Sequence, residues 1–307
     1  MVTAMTIKTK KSALRQEGFG YSVFTLINYL FLGLVILVTA YPVYYVLIAS
    51  ISSPAAMMQD YGLMWLPKKP LTLLAYQMVF KHPLILSGYR NTMFVLVFGL
   101  VFNMALTCLG AYFLCLKNSM FRRPVSLFII FTMYFSGGLV PMYLNVQGLG
   151  LMNSLWALII PSAINTYNML ILRSAFYSVP DSLVEVAKLD GASHFQILTK
   201  IFIPLSGATL AVMVLYYGVG HWNAWFNSSI FLQTPSKFPL QLVLRNILLL
   251  NQRIDFNAAI ADDSVAALLA EVIKYALIVV STAPILLLYP FLQRFFTKGV
   301  MIGAIKG

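Results

Sequence analysis

Six stretches, near residues 22 to 50, 91 to 116, 125 to 147, 153 to 177, 203 to 231 and 271 to 296, are each apolar for 20 residues or more. A helix of about 20 apolar residues crosses the hydrocarbon core of a bilayer, so each stretch predicts a membrane-spanning helix. With 60% of its 307 residues hydrophobic and 10% charged, the chain carries more apolar surface than one soluble core can hide. The first stretch follows a basic N-terminus but runs well past a signal peptide's apolar segment of about 7 to 15 residues, which predicts an uncleaved first span.

The net charge of +12 does not indicate nucleic acid, because the basic residues fall in loops rather than on one aromatic-interleaved face. Lys8, Lys10, Lys11, Arg15, Arg122, Arg123, Lys188, Lys200, Lys298 and Lys306 fall on one side of a six-span chain. The opposing cations, such as Lys68 and Arg253, lie mostly in long loops, which weigh less in orientation. Both termini are therefore expected in the cytoplasm. Cys108 and Cys115 share the second stretch, seven residues apart on one side of a helix, and cannot bridge each other. Residues 241 to 250, with Arg245 and Asn246 amid leucines, predict a short interfacial helix on the outer side.

Familiar hydrolytic signatures are missing: there is no GxxxxGK[ST], HExxH, CxxC or GxSxG. The three histidines, His82, His194 and His221, are scattered. His221 lies inside the fifth stretch with no carboxylate near it in sequence, which favours a hydrogen-bonded packing role over a catalytic base. No catalytic residue, metal site or cofactor of the chain's own is expected. Glu271 and Lys274 are spaced to pair on one helix face near the end of the last span, and Pro284 and Pro290 are expected to kink it. Ser136, Gly137 and Gly138 permit either close packing or a break in the third stretch.

Residues 185 to 204, EVAKLDGASHFQILTKIFIP, are polar by contrast. Asp181, Glu185 and Asp190 put three of the chain's nine acids into ten residues of one predicted cytoplasmic loop. Asp181 after Pro180 is a good N-cap, with Glu185 near the positive end of the helix that follows. Gly191 supplies a positive φ to end that helix. A second amphipathic turn starts at Ser193 with Phe195 and Leu198 on one side, and Pro204 suits the first turn of the re-entering helix. Two readings of the segment stand: a connector resting on lipid headgroups, which prefer a more basic surface, or a knob that docks into another protein.

Glu185, Ala187, Asp190, Gly191 and Ala192, with Ile203 and Pro204 thirteen residues after the glycine, resemble the EAA motif of permease subunits of ATP-binding-cassette importers. Val186 stands where the motif normally has alanine. The run HWNAWFN and the C-terminal RFFTKGVMIGAIKG are similar to the carbohydrate-uptake branch, the relatives of the maltose transporter's second permease subunit and of Gram-positive permeases for complex oligosaccharides. The resemblance implies an all-α polytopic protein with six transmembrane helices in the type I ABC importer permease fold, in a bacterial cytoplasmic membrane. It divides the chain into a cytoplasmic segment 1–21, a transmembrane domain 22–296 containing the cytoplasmic coupling loop 178–203, and a cytoplasmic tail 297–307 that reaches the ATPase interface.

On that resemblance, Asp181, Glu185, Ala187, Asp190, Gly191, Ala192 and Pro204 belong to a loop that docks on an ATPase subunit. The implied partners are a second permease, two ATPase subunits that hold ATP and Mg, and an extracellular solute-binding protein. Asn251, Arg253, Asp255 and Asn257 are expected at the tip of the segment that meets the binding protein. Polar residues inside spans are costly and face a cavity or another helix. Asn165, Asn168, His221, Trp222, Asn223, Trp225 and Asn227 are therefore candidates to line an oligosaccharide pathway. An ion-coupled carrier or channel is the alternative and predicts uptake by this chain alone; a membrane enzyme would need an intramembrane catalytic constellation that the sequence lacks.

Overall fold

The computed structural model describes residues 19–58, 62–116, 120–249, 272–287 and 290; these residues form helices and connecting turns, with no strand among them. Helix α1 (Phe19–Ser50) is apolar all round and about 48 Å long at the usual rise. Most of its side chains are exposed, and only its last turn, at Ile48, Ala49 and Ser50, enters the core. Two short helices, α2 (Pro54–Met58) and α3 (Leu74–Lys81), lead to the central element, α4 (Pro83–Cys115). His82 caps α4 by accepting from the Leu84 N–H through Nδ1 at 3.2 Å, and Pro83 occupies the first turn, where its missing N–H costs nothing.

The buried face of α4 reads Gly88, Thr92, Val95, Gly99, Asn103, Thr107 and Ala111, mostly small or polar residues at helical spacing. Small side chains let neighbouring backbones approach, and polar ones bridge helices where lipid offers no hydrogen bonds. α4 accordingly packs against helices from both ends of the chain.

The third apolar stretch is broken. Helices α5 (Arg122–Tyr134) and α6 (Leu139–Gly148) meet at 115°. Gly138 stands at the joint with φ 87° and ψ −177°, a conformation confined in practice to glycine; of the two roles open to this segment, it is the break. The fourth stretch is helical only in its second half: a single turn (Leu155–Leu158) and irregular chain precede α7 (Thr166–Tyr177). Then come α8 (Asp181–Leu189) and α9 (His194–Ile197), after which hydrogen bonding widens to a π-type turn over Leu198–Phe202 and closes in α10 (Ile203–Leu205).

The chain turns by 87° into α11 (Gly207–Trp222), breaks at Asn223–Ala224, and resumes as α12 (Trp225–Phe231). α13 (Leu240–Leu249) and α14 (Val272–Leu287) complete the described structure. Pro204 thus lies in α10, ahead of the bend, and the re-entering helix starts at Gly207. Among the described residues two helices, α1 and α4, are long and apolar enough to cross a membrane unaided, or four spans if each bent pair counts as one. Of the six expected spans the described residues thus give two to four candidates, because hydropathy reports burial in an apolar medium and a bent or irregular segment satisfies it as well as a straight helix does.

Residues 240–249 form the expected short helix, clamped to α4. Asn91 donates through Nδ2 to the carbonyls of Ser236 and Phe238 at 2.9 and 3.1 Å, the Leu240 N–H donates to Thr92 Oγ1 at 2.9 Å, and a Cβ on Gly88 would come within 3.1 Å of Leu240 Cα. Tyr89 and Trp222 hold α14 by donating to the carbonyls of Val280 and Ser281. Pro284 lies within α14; the Glu271–Lys274 pairing and the N- and C-terminal segments rest on positions outside the described residues.

Candidate functional site

The polar segment after α7 is a projecting corner. Its first helix, α8, starts one residue earlier than expected: Pro180 takes the cap position in place of Asp181, which lies in the first turn, where its charge still meets the positive end of the helix dipole. The C-terminus closes as a Schellman motif. The Ala192 N–H donates to the Ala187 carbonyl at 2.9 Å and the Gly191 N–H to Lys188 at 3.1 Å, with Gly191 at φ 79°. Ser193 then caps α9 in a reciprocal box: the Gln196 N–H donates to Ser193 Oγ at 3.3 Å, and the Ser193 N–H to Gln196 Oε1 at 2.8 Å. The S-x-x-Q spacing was a legible signal for this second cap.

Burial divides the corner into two faces. Val184, Ala187 and Ala192 pack on a core built from the end of α4, α7 and the loop itself, in which Leu172, Phe176 and Ile197 are buried. Ala187 and Ala192 are small because they sit against that core. Outward stand Asp181, Glu185, Asp190 and Gly191 together with Leu183, Val186 and Leu189, the last 87% exposed. The residue that departs from the motif, Val186, belongs to this outer face. Phe195 and Leu198 do not share a side as expected: Phe195 is exposed and Leu198 buried beside Ile197. The sequence step from 195 to 198 suits an α-turn, but the π-type turn that begins at Leu198 changes the angle per residue and carries Leu198 inward.

From Ser182 to Leu205, one side chain reaches another helix by a hydrogen bond among the described residues. His194 Nδ1 lies 2.7 Å from Tyr112 Oη on α4, whose ring is edge-on to Phe202 at 5.2 Å. Neither residue was singled out by its sequence for this role, since 82 positions separate them. Tyr112→Phe removes only the hydroxyl and is expected to weaken the attachment by about 1 kcal/mol. In limited proteolysis, trypsin cleavage after Lys188 and Lys200 should rise several-fold in this variant; an unchanged rate would show that apolar packing alone holds the corner.

The second polar assembly is inside the bundle, where α4, α11 and the chain before α7 meet. Asn103 Nδ2 donates to the carbonyls of Ser162 and Ala163 at 2.7 and 3.0 Å, which turns its Oδ1 toward His221 Nε2 at 2.6 Å. With that amide orientation fixed, Nε2 carries the proton and donates. One helical turn along α4, Thr107 Oγ1 meets Tyr217 Oη at 2.8 Å, and Tyr217 Oη accepts from the Asn165 N–H at 3.2 Å. Asn165 in turn caps α7, its Oδ1 accepting from the Asn168 N–H at 3.0 Å. Sequence reading missed Asn103, Thr107 and Tyr217; the available signal was an amide and a hydroxyl, four residues apart, in the middle of a largely apolar span.

The residues put forward for a pathway separate accordingly. Asn168, His221 and Trp222 are buried within the chain. Asn165, Asn223 and Trp225 are exposed, Asn227 half-buried, and the Arg245 guanidinium lies 4.5 Å over the Trp225 ring. Asn251, Arg253, Asp255 and Asn257 lie outside the described residues. No group of three or more His, Cys, Asp or Glu side chains that could hold a metal occurs among the described residues.

Comparison with known proteins joins these features. Residues 91–302 match the family described as the binding-protein-dependent transport system inner membrane component. The chain is 38% identical to the protein LplC of Bacillus subtilis over 286 residues, covering 93% of this chain and 95% of that one. It is 39% identical over 233 residues to the polygalacturonan/rhamnogalacturonan transport system permease protein YtcP of the same organism, covering 76% of this chain and 81% of the relative. The crystal structure of a bacterial ABC transporter involved in the import of the acidic polysaccharide alginate contains a chain that superposes with a TM-score of 0.83 at 32% identity, covering 91% of this chain and 98% of its own. The helical architecture is that of a type I ABC importer permease. A match over residues 91–302, together with close relatives along most of its length, places this chain in the family of binding-protein-dependent transport system inner membrane components.

Proposed function

We propose that the chain is one of two permease subunits of an ABC importer that carries oligosaccharides into the bacterial cytoplasm. The observation that carries this reading is the projecting corner at α8, rigid at its Schellman bend, with an outer face that combines acids with Leu183, Val186 and Leu189. A surface of that mixed character suits a protein groove better than anionic headgroups, which favour Lys and Arg. The similarity to YtcP and to the alginate importer supports a glycan as the solute.

In this reading six spans form a transmembrane domain over 22–296, with a cytoplasmic segment 1–21 and tail 297–307, and both termini lie in the cytoplasm. The corner docks on one of two ATPase subunits, which hold ATP and Mg and carry out hydrolysis. A second permease completes the pathway and an extracellular binding protein delivers the solute, with Asn251, Arg253, Asp255 and Asn257 at the contact. Closure of the ATPases pushes the corner, and the bundle rocks between outward- and inward-open states around a fixed site. α4 suits this transmission because one stiff helix bears Tyr112, tied to the corner, and Asn103 and Thr107, tied to the interior. The exposed Asn165, Asn223, Trp225 and half-buried Asn227 face the solute, while Asn168, His221 and Trp222 support that wall from behind.

The test is uptake into vesicles containing the chain with and without its ATPase and second permease. ATP-dependent uptake by the full complex, and none by the chain alone, is the expected result; uptake by the chain alone, driven by an ion gradient, would replace this reading with an ion-coupled carrier. Glu185→Lys reverses a charge on the outer face and is expected to lower both ATPase recovery with the complex and uptake by about tenfold, the equivalent of about 1.4 kcal/mol. Membrane insertion should stay normal. Wild-type uptake in Glu185→Lys would remove this carboxylate from the docking surface.

A further inference from the structure

We infer that the bend at Ser206 and the contact of Tyr112 with His194 form a two-state switch between the corner and the bundle, in which one hydrogen bond is exchanged for another. Its use in transport rests on the importer reading above, to which it adds the joint at which the corner moves. Ser206 carries the first observation. Its Oγ is buried and has no hydrogen-bond partner. A helical serine or threonine can donate to a carbonyl one turn back, as Thr39, Thr199, Ser228 and Thr282 do here, each to the carbonyl four residues earlier. Ser206 departs from that pattern because it stands at the 87° bend between α10 and α11, with φ −101° and ψ 18°. A buried hydroxyl without a partner is costly, and the remedy is local: once the bend straightens into helix, Oγ reaches the Phe202 carbonyl.

The backbone makes Ser206 the pivot. Its N–H donates to the carbonyls of Phe202 and Ile203 at 3.0 and 3.3 Å, closing the incoming helix, and its carbonyl accepts from the Leu210 N–H at 3.0 Å, opening the outgoing one. A Cβ on Gly207 would meet nothing within 4 Å, so the joint has room to move. The surrounding joints are tied by side chains. α4 and α11 are joined twice, by Asn103 with His221 at 2.6 Å and by Thr107 with Tyr217 at 2.8 Å, and so move as one body. Apart from apolar packing, the corner meets that body through the covalent bend at Ser206 and through Tyr112 with His194 at 2.7 Å. A shift of the corner therefore changes the bend and releases Tyr112. In the state described here the Tyr112 contact is made and Ser206 Oγ is unpaired; in the other, Ser206 Oγ is paired and His194 is released. Two states that differ by such an exchange are close in free energy, which lets a docked partner move the balance between them.

The experiment compares Ser206→Ala, Tyr112→Phe and the double variant, each substitution removing one hydroxyl. Trypsin cleavage after Lys188 and Lys200 is followed on the full chain in inside-out vesicles without its ATPase, and ATP-dependent uptake is measured on the complete importer. Ser206→Ala is expected to slow cleavage about fivefold, the factor that one net hydrogen bond represents, and Tyr112→Phe to speed it by a similar factor. Each single variant should lower uptake several-fold, because each holds the switch on one side. The double variant should cleave at about the wild-type rate and recover uptake relative to Ser206→Ala, whereas two unrelated packing defects would leave it the poorest transporter.

Unchanged or faster cleavage in Ser206→Ala, or uptake by the double variant no higher than by Ser206→Ala, would overturn the switch and leave the importer reading intact. The expected cleavage pattern without any ATP-dependent uptake by the wild-type complex would overturn the importer reading while supporting the switch as a property of this chain.

Discussion

Gly191→Val is expected to lower ATP-driven uptake more than tenfold while the chain still inserts and the bundle still forms. The cause is backbone conformation. A Cβ at Gly191 would meet nothing within 4 Å, so there is no steric clash with the rest of the protein. The residue sits at φ 79°, however, where an L side chain costs about 1 to 2 kcal/mol and a β-branched one more. To relieve that strain the chain must leave the left-handed region, which breaks the Ala192-to-Ala187 hydrogen bond and redirects α8 relative to α9. On the docking reading proposed above, a surface moved by a few ångströms no longer meets its groove. Gly191→Asn is the control, since asparagine tolerates this conformation better than other residues with side chains. It should retain a clear fraction of uptake. Normal uptake in Gly191→Val would show that transport does not depend on this bend.

Gly99→Ala should destabilise the protein by about 1 to 3 kcal/mol, the usual cost of overpacking a core. The sign is the reverse of what helix propensity predicts, because alanine is favoured over glycine in a helix interior by about 1 kcal/mol. A Cβ at Gly99 would lie 2.5 Å from His221 Nε2, 2.8 Å from Cε1 and 2.9 Å from Cδ2. The ring has little room to yield, because Nε2 is bonded to Asn103 and Asn103 is held by two backbone carbonyls. Thermal unfolding in detergent measures the loss. In a His221→Ala background the same Gly99→Ala change should become neutral or stabilising, a non-additivity of the kind expected for residues in direct contact. Additive effects would mean that the ring moves aside freely and that the polar assembly around Asn103 is loose.

The membrane location and the corner were legible in the sequence because both are written in short windows. Apolar content over about 20 residues gives α1 and α4 directly, and Gly191 and Ser193, whose caps act within four residues, punctuate a helix–bend–helix unit, while the N-cap expected at Asp181 falls on Pro180. The motif around Glu185 and Gly191 carried the family resemblance for the same reason: its residues are neighbours. Only the tertiary structure decided where the apolar stretches break, which way Phe195 and Leu198 face, and which polar side chains pair. His221 finds Asn103 at a separation of 118 residues, and Thr107 finds Tyr217 at 110. In lipid a buried polar group must find a partner somewhere, so the sequence announces the need through its lone amides and histidine. The partner is chosen by which helix faces come together, and that is a property of the packed bundle.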